Sequence, residues 1–320
     1  MIKAGIIGGA GYTAGELIRI LLQHPEVEIS SVASQSHNGK FLYAAHTDLE
    51  GETGLKFDSG LSQDTDVVFL CSGHGKSKAV VEGNTIPGSA KIIDLSSDFR
   101  IKGEHDFVYG LPELNKNEIK SASQVANPGC FATCIQLCLL PLASQNLLHH
   151  PVHVTAITGS TGAGQNPTDT THFSWRSNNA SIYKPLKHQH LGEIKQSLEQ
   201  LQDGFNLPVH FIPIRGAFTR GILAACYIQL DKSEDEIKQL YKEYYLNHPF
   251  VTISGSSPDI KRVVGTNTAQ LHIQKEDGQI LITGVIDNLL KGASGQAVQN
   301  MNLIFGLDEA AGLNLKATAF

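Results

Sequence analysis

Gly8-Gly9-Ala10-Gly11-Tyr12-Thr13-Ala14-Gly15 is the stretch from which the fold is read. It satisfies G-x-G-x-x-A from Gly9. It follows a short buried-strand pattern, Ala4-Gly5-Ile6-Ile7, and leads into Ala14 to Gln23, where apolar residues fall at helical spacing. Strand, glycine turn and helix in that order suit a dinucleotide: the backbone must turn tightly and approach a pyrophosphate at the positive end of a helix. A glycine-rich loop without a ligand would not need the strand before it and the helix after it. Gly8, Gly9, Gly11, Tyr12, Thr13 and Ala14 are therefore candidate cofactor residues.

Strand-like runs at Val27 to Val32, Asp66 to Cys71 and Lys91 to Leu95 alternate with helical or irregular stretches. That alternation predicts a Rossmann-type, doubly wound parallel sheet, an α/β fold. From Val152 the texture changes. Longer strand-like runs at Val152 to Thr158, Val209 to Pro213, Gly221 to Leu230 and Gln279 to Ile286 lack regular crossover helices, although Leu191 to Leu201 and Ser233 to Tyr244 read as helical. They predict a second, α+β catalytic domain with a largely antiparallel sheet. A final helix, Gly295 to Phe305, is expected to pack back on the first domain. The expected division is 1–127 with 290–320 for the dinucleotide-binding domain and 128–289 for the catalytic, substrate and oligomerisation domain.

With 320 residues the chain exceeds the size at which single cores usually split. Its net charge of -6 gives no positive excess for nucleic-acid phosphates or an anionic membrane. No apolar run approaches the roughly 18 residues of a membrane span, and a strand begins almost at Met1, so a cytoplasmic protein with a small-molecule partner is expected. Five cysteines at 71, 130, 134, 138 and 226 do not resemble a disulfide framework and are expected to be reduced.

An NAD enzyme usually shows an acid about 20 residues beyond the glycine turn, to take the ribose hydroxyls. Here Ser31-Val32-Ala33-Ser34-Gln35-Ser36-His37-Asn38-Gly39-Lys40 has none. A 2'-phosphate would be accepted there, so NADP is the expected cofactor, with Ser34 and Ser36 as its candidate ligands.

Asn127-Pro128-Gly129-Cys130 precedes a run without a breaker until Pro141. Asn127 reads as an N-cap, which places Cys130 in the first turn of a helix, where unpaired N–H groups favour a thiolate. Cys134 and Cys138 follow on the same face. Three thiols spread along one helix do not make a compact zinc knuckle, so no metal is expected and these two read as small core residues. The base is sought in Lys187-His188-Gln189-His190-Leu191-Gly192-Glu193-Ile194, where either His190 or His188 would take the thiol proton, with His190, at the helix start, preferred. Gly159-Ser160-Thr161-Gly162-Ala163-Gly164 looks like a backbone nest for an anion, and Arg215 and Arg220 suit a carboxylate or phosphate.

Taken together with Asp94-Leu-Ser-Ser-Asp-Phe-Arg100, Tyr109-Gly-Leu-Pro-Glu-Leu114 and Asp287-Asn-Leu-Leu-Lys-Gly-Ala-Ser-Gly-Gln-Ala-Val-Gln-Asn300, these motifs span nearly the whole chain. The set resembles the N-acetyl-gamma-glutamyl-phosphate reductase family of arginine biosynthesis, related to aspartate-semialdehyde dehydrogenase. The resemblance implies NADPH-dependent reduction of an acyl phosphate to a semialdehyde through a thioester on Cys130. It also implies substrate contacts from Ser160, Thr161 and Gly162, a cofactor contact from Asn288, and a homodimer or homotetramer. One departure is Gln165, where many members carry a basic residue; it points to a substrate differing in detail, such as another N-acyl group. The competing readings are aspartate-semialdehyde dehydrogenase or an aminoadipate-type reductase, and, from another class, a non-catalytic NADP-binding redox sensor.

Overall fold

The structure, a computed structural model, describes residues 1–319. Phe320, the last residue of the expected span 290–320, lies outside them. Contacts divide the chain into two compact units: Met1–Pro128 with Ala293–Asn314, and Gly129–Gly292 with the tail from Leu315.

The first unit runs β1 (Ile2–Ile7), α1 (Tyr12–Leu21), β2 (Val27–Ala33), β3 (Val67–Leu70), α2 (Ser77–Glu82), β4 (Lys91–Asp94), β5 (Val108–Tyr109), α3 (Pro112–Ser121) and β6 (Gln124–Ala126). Its sheet has the order β2-β1-β3-β4-β6-β5, and the strands pair in parallel. Val67-Val68-Phe69-Leu70 is buried at every position, as a central parallel strand with both faces covered requires. Strand order reverses at β1, with β2 on one side and β3 on the other. The crevice of a doubly wound sheet opens at such a point.

A helix at Ser294–Ile304 belongs to this unit and is buried on every face. Several of its amide side chains find partners in the unit around them. Asn300 Nδ2 donates to Gly110 O (2.8 Å) and Asn127 Oδ1 (3.1 Å), and Asn302 Nδ2 donates to Ala311 O (2.9 Å).

The second unit runs α4 (Cys130–Ser144), β7 (Val152–Thr158), α5 (Phe173–Arg176), β8 (Ser181–Ile182), α6 (His190–Leu201), β9 (Val209–Arg215), β10 (Ile222–Gln229), α7 (Glu234–Tyr244), β11 (Val251–Ile253), β12 (Ala269–Glu276) and β13 (Gln279–Ile286). Its sheet has the order β11-β12-β13-β10-β7-β9-β8. Pairing is antiparallel for β12 with β13, β13 with β10, β10 with β7 and β8 with β9. It is parallel for β7 with β9 and β11 with β12. The two units thus carry the α/β and largely antiparallel α+β sheets expected of them. Alternate residues such as Val152, Val154 and Ala156 face a core shared with Phe131, Ile135 and Leu142 of α4. The helix presses close: a Cβ on Gly284 of β13 would stand 2.6 Å from Cys138 Sγ.

Two expectations about α4 need correction. Its N-cap is Gly129 and not Asn127, because the Asn127 amide is spent elsewhere: Nδ2 donates to Ala293 O (3.0 Å) and Oδ1 accepts from Asn300. Nor does Pro141 end the helix, which continues to Ser144. Proline there removes the N–H that would have bonded the Leu137 carbonyl. That carbonyl is instead taken by the Tyr245 hydroxyl at 2.6 Å, and the Tyr241 hydroxyl takes Cys138 O.

Candidate active site

In the first unit the glycine turn is shaped by what surrounds it. Gly8 has φ +82°, and a Cβ there would collide with the Cys71 backbone. A Cβ on Gly9 would overlap Val32. At Gly11, by contrast, the space ahead is open, with nothing nearer than Gly8 O at 3.9 Å. Gly11 caps α1 without a side-chain hydrogen bond, and the first turn carries no acid. The N–H groups of Tyr12, Thr13 and Ala14 thus face an uncapped helix start, which fits an anionic pyrophosphate.

Beneath the turn lies a residue that sequence reasoning missed. His46 is buried, its Nε2 donates to Gly9 O (2.7 Å), and its ring occupies the place a side chain at Gly15 would need. The only trace of it in the sequence is the extra glycine at 15.

At the end of β2, Ser34 is buried, its hydroxyl 3.4 Å from Ser36 Oγ, which in turn lies 2.9 Å from His37 Nδ1. The fold brings one carboxylate here from a distance. Asp58 Oδ2 accepts the Val32 N–H (2.9 Å), and its backbone bridges Ala33 and Ser34. Burial near Thr13 pushes the Cys71 thiol up to about 12.

In the second unit Cys130 is the first residue of α4 and only partly buried. His190, the first residue of α6, lies against the turn that precedes it: a Cβ on Gly129 would overlap the His190 ring. Position 129 is glycine because an imidazole fills its side-chain space. Glu193, buried, ties the two together. Its Oε2 accepts the Gly129 N–H (2.9 Å), and its Oε1 stands 3.9 Å from His190 Nε2. One carboxylate therefore fixes the turn before Cys130 and stands beside the His190 ring. From the other side Gly292 closes on the cysteine: a Cβ there would lie 2.8 Å from Cys130 Cβ.

His188 is a different kind of residue. It packs edge-on against Phe131 (5.6 Å), Tyr183 (5.7 Å) and Phe211 (5.3 Å). Burial, with Lys184 and Arg215 nearby, lowers its pKa to about 4. It is a weak proton acceptor at neutral pH, and its Nδ1 accepts the His190 N–H (3.3 Å), so it orients the start of α6.

Ser160, Thr161 and Gly162 form a short 3-10 turn. Its N–H groups do not make an open nest: Ser160 N donates to Phe218 O (2.8 Å), Thr161 N to Thr219 O (3.1 Å) and Gly162 N to Gly159 O (3.4 Å). Asn288 braces this turn, donating to Thr161 Oγ1 (3.0 Å) and accepting from Gly221 N (2.7 Å), so both ends of its amide are committed. Arg220 pairs with the buried Asp287 at 2.9 Å. Arg215 is differently placed. Its guanidinium lies over the Tyr183 ring (4.5 Å), and its Nε has no partner among the described residues.

Cys134, Cys138 and Cys226 are buried together, with the thiols of Cys134 and Cys138 held well above their ordinary range. Among the described residues there is no disulfide and no cluster able to hold a metal, and no helix is long and apolar enough to cross a membrane.

The model of the semialdehyde dehydrogenase NAD binding domain matches residues 3–122, and that of the semialdehyde dehydrogenase dimerisation domain matches residues 130–288. Over their full lengths, the chain is 57% identical to the N-acetyl-gamma-glutamyl-phosphate reductase of Parabacteroides distasonis and 56% identical to that of Christiangramia forsetii. Among solved structures, aspartate semialdehyde dehydrogenase II of Vibrio cholerae superposes with a TM-score of 0.74 at 16% identity, covering 96% of this chain and 98% of that one. This last likeness is one of fold.

Proposed function

The chain belongs to the N-acetyl-gamma-glutamyl-phosphate reductase family, and from that membership we propose that it reduces N-acetyl-L-glutamyl 5-phosphate to the 5-semialdehyde, releasing phosphate and using NADPH. The observation that carries the reading is the single carboxylate of Glu193 joining the Gly129-Cys130 turn to His190. A cysteine at a helix start, an imidazole against its turn and an acid behind the imidazole are what nucleophilic acyl transfer requires.

His190 accepts the Cys130 proton as sulfur attacks the acyl carbon. The C–O bond to phosphate breaks, phosphate leaves, and a thioester remains on Cys130. When bound, NADPH would supply the hydride that the acyl carbon accepts. The resulting thiohemiacetal collapses, the C–S bond breaks, and Cys130 departs as thiolate while the His190 imidazolium returns its proton. The backbone N–H of Cys130, at the start of α4, is the candidate donor to the oxyanion of either tetrahedral stage. Arg215, with its unpartnered Nε, is the candidate for the substrate's anionic group. Gly8, Gly9, Gly11 and the first turn of α1 would hold the pyrophosphate, and Ser34 and Ser36 the 2'-phosphate.

Aspartate-semialdehyde dehydrogenase activity is not favoured, since that likeness rests on fold at 14–17% identity. A non-catalytic sensor would not need Glu193 to brace both the cysteine's turn and the histidine. The free thiols support a reducing, cytoplasmic setting. The match of residues 130–288 to a dimerisation domain supports a homodimer or homotetramer. Oxidation of the semialdehyde with inorganic phosphate, compared for NADP and NAD, tests the reading, and absence of phosphate-dependent NADP reduction defeats it.

A further inference from the structure

The short edge strand β8 carries Tyr183 to the end of β9. Ser181 lies opposite Arg215 and Ile182 opposite Ile214, and the Tyr183 N–H donates to Pro213 O (3.1 Å). The ring then meets two groups. The Arg215 guanidinium carbon stands 4.5 Å from its centroid, and His188 meets it edge-on at 5.7 Å. Arg176 fixes the arginine's backbone by donating to Arg215 O (2.7 Å).

Beside this pair lies an unsatisfied corner. Thr158 is 1% exposed, its Oγ1 has no partner among the described residues, and neither does Arg215 Nε. The two residues are direct neighbours on β7 and β9. Strand alternation puts both on the face of Phe211, against which Phe131 and His188 pack, which is the face that carries the start of α4. A buried hydroxyl and a buried guanidinium N–H left without partners are costly unless a polar group arrives to meet them. The Tyr183 hydroxyl shares its electrostatic surroundings with Cys130 and Arg215, and burial pushes it up to about 12, so it stays neutral throughout the working range.

We propose that Tyr183 is the positioning residue of Arg215: its ring holds the guanidinium beside Thr158 Oγ1, and so sets how tightly the enzyme takes the anionic group of its substrate. This rests on the reading of Arg215 given above. The anion is a phosphate or a carboxylate, and running the reaction in reverse separates them, because inorganic phosphate and the carboxylate-bearing semialdehyde are then distinct reactants.

The test compares Tyr183→Leu, Tyr183→Phe, Arg215→Gln and the Tyr183→Leu/Arg215→Gln double variant in the reverse reaction. Tyr183→Leu should raise the KM of one anionic reactant about three- to thirtyfold, the usual worth of a cation over an aromatic ring, with kcat within about threefold and the KM for NADP unchanged. Tyr183→Phe keeps the ring and should recover most of the affinity. In the double variant the tyrosine change should add less than about twofold to the effect of Arg215→Gln alone. Equal loss in Tyr183→Phe and Tyr183→Leu, a raised KM for NADP, or full additivity in the double variant would overturn the proposal. If Arg215→Gln leaves both KM values unchanged, the reading of Arg215 falls and takes this one with it. If Arg215→Gln raises one of them while Tyr183→Leu is silent, only the role of Tyr183 falls.

Discussion

Gly129 shows how much of the proposed chemistry would rest on one missing Cβ. Its side-chain space belongs to the His190 ring, and its N–H belongs to Glu193. Cys130→Ser should reduce turnover below about a hundredth without altering the fold, since a serine hydroxyl is almost un-ionised at neutral pH. Steady-state rates beside a circular dichroism melt check this. His190→Asn should lower kcat by on the order of 10² to 10⁴, the range for lost acid-base catalysis, and remove a limb of the pH profile. His188 carries a different pH dependence. Its folded pKa of about 4 lies below the ordinary histidine value near 6.5, so the unfolded chain binds the extra proton first. Its contribution to stability is complete above about pH 6.5 and is lost as pH falls towards 4. His188→Gln should flatten the stability-pH curve across that window, measured by denaturant unfolding at several pH values; an unchanged slope counts against the assignment. For the cofactor, Ser34→Asp should weaken NADPH relative to NADH by setting a charge against the 2'-phosphate. An unchanged ratio of efficiencies would place that pocket elsewhere.

Among elements, those legible in the sequence are the ones whose pattern is set by burial alone. Val152–Thr158 and Gln279–Ile286 emerge with the expected bounds because their inward positions are apolar and their ends are marked by turns. The strand Ala269–Glu276 is hidden in the sequence: its outward Gln270, His272 and Gln274 and its charged end mask the inward Ala269, Leu271 and Ile273. The start and end of α4 are not legible in the sequence because both are decided by distant partners. Asn127 is diverted to Ala293 and Asn300, and the carbonyl orphaned by Pro141 is met by Tyr245. The same division holds in the site. Cys130 and His190 announce themselves by local context, whereas Tyr183, Thr158, His46 and Asp58 acquire their places only when remote strands and loops meet. Tyr245→Phe tests the account of α4. It strands a buried carbonyl and should cost about 1–3 kcal/mol of stability, read from the denaturant midpoint at constant slope. A cost near zero would show that the helix tolerates Pro141 unaided.

At the scale of the whole molecule, the outward face of the second sheet leaves Ile212 and Tyr227 exposed, yet it is not the face of a strand set built for water. His210, His153 and Tyr227 stand in register across β9, β7 and β10, with successive ring centroids 5.0 and 5.1 Å apart. Two residues along, Ile212, Thr155 and Ala225 form the next row, and Ile214, Ile157 and Leu223 the one after. Antiparallel sheets with one solvated face alternate apolar with polar, and here the outward positions are largely apolar or aromatic. A contiguous apolar face of this kind marks an association surface. A second copy meeting it across a two-fold axis would place the same rows against each other. We therefore expect Ile212→Asp with Tyr227→Asp to convert the oligomer to a monomer, because each copy would bury two unpaired charges at the centre of the interface. Sedimentation velocity of the double variant beside the wild type decides it. A monomer that retains its near-ultraviolet circular dichroism supports the assignment, and an unchanged mass shows that the copies meet elsewhere.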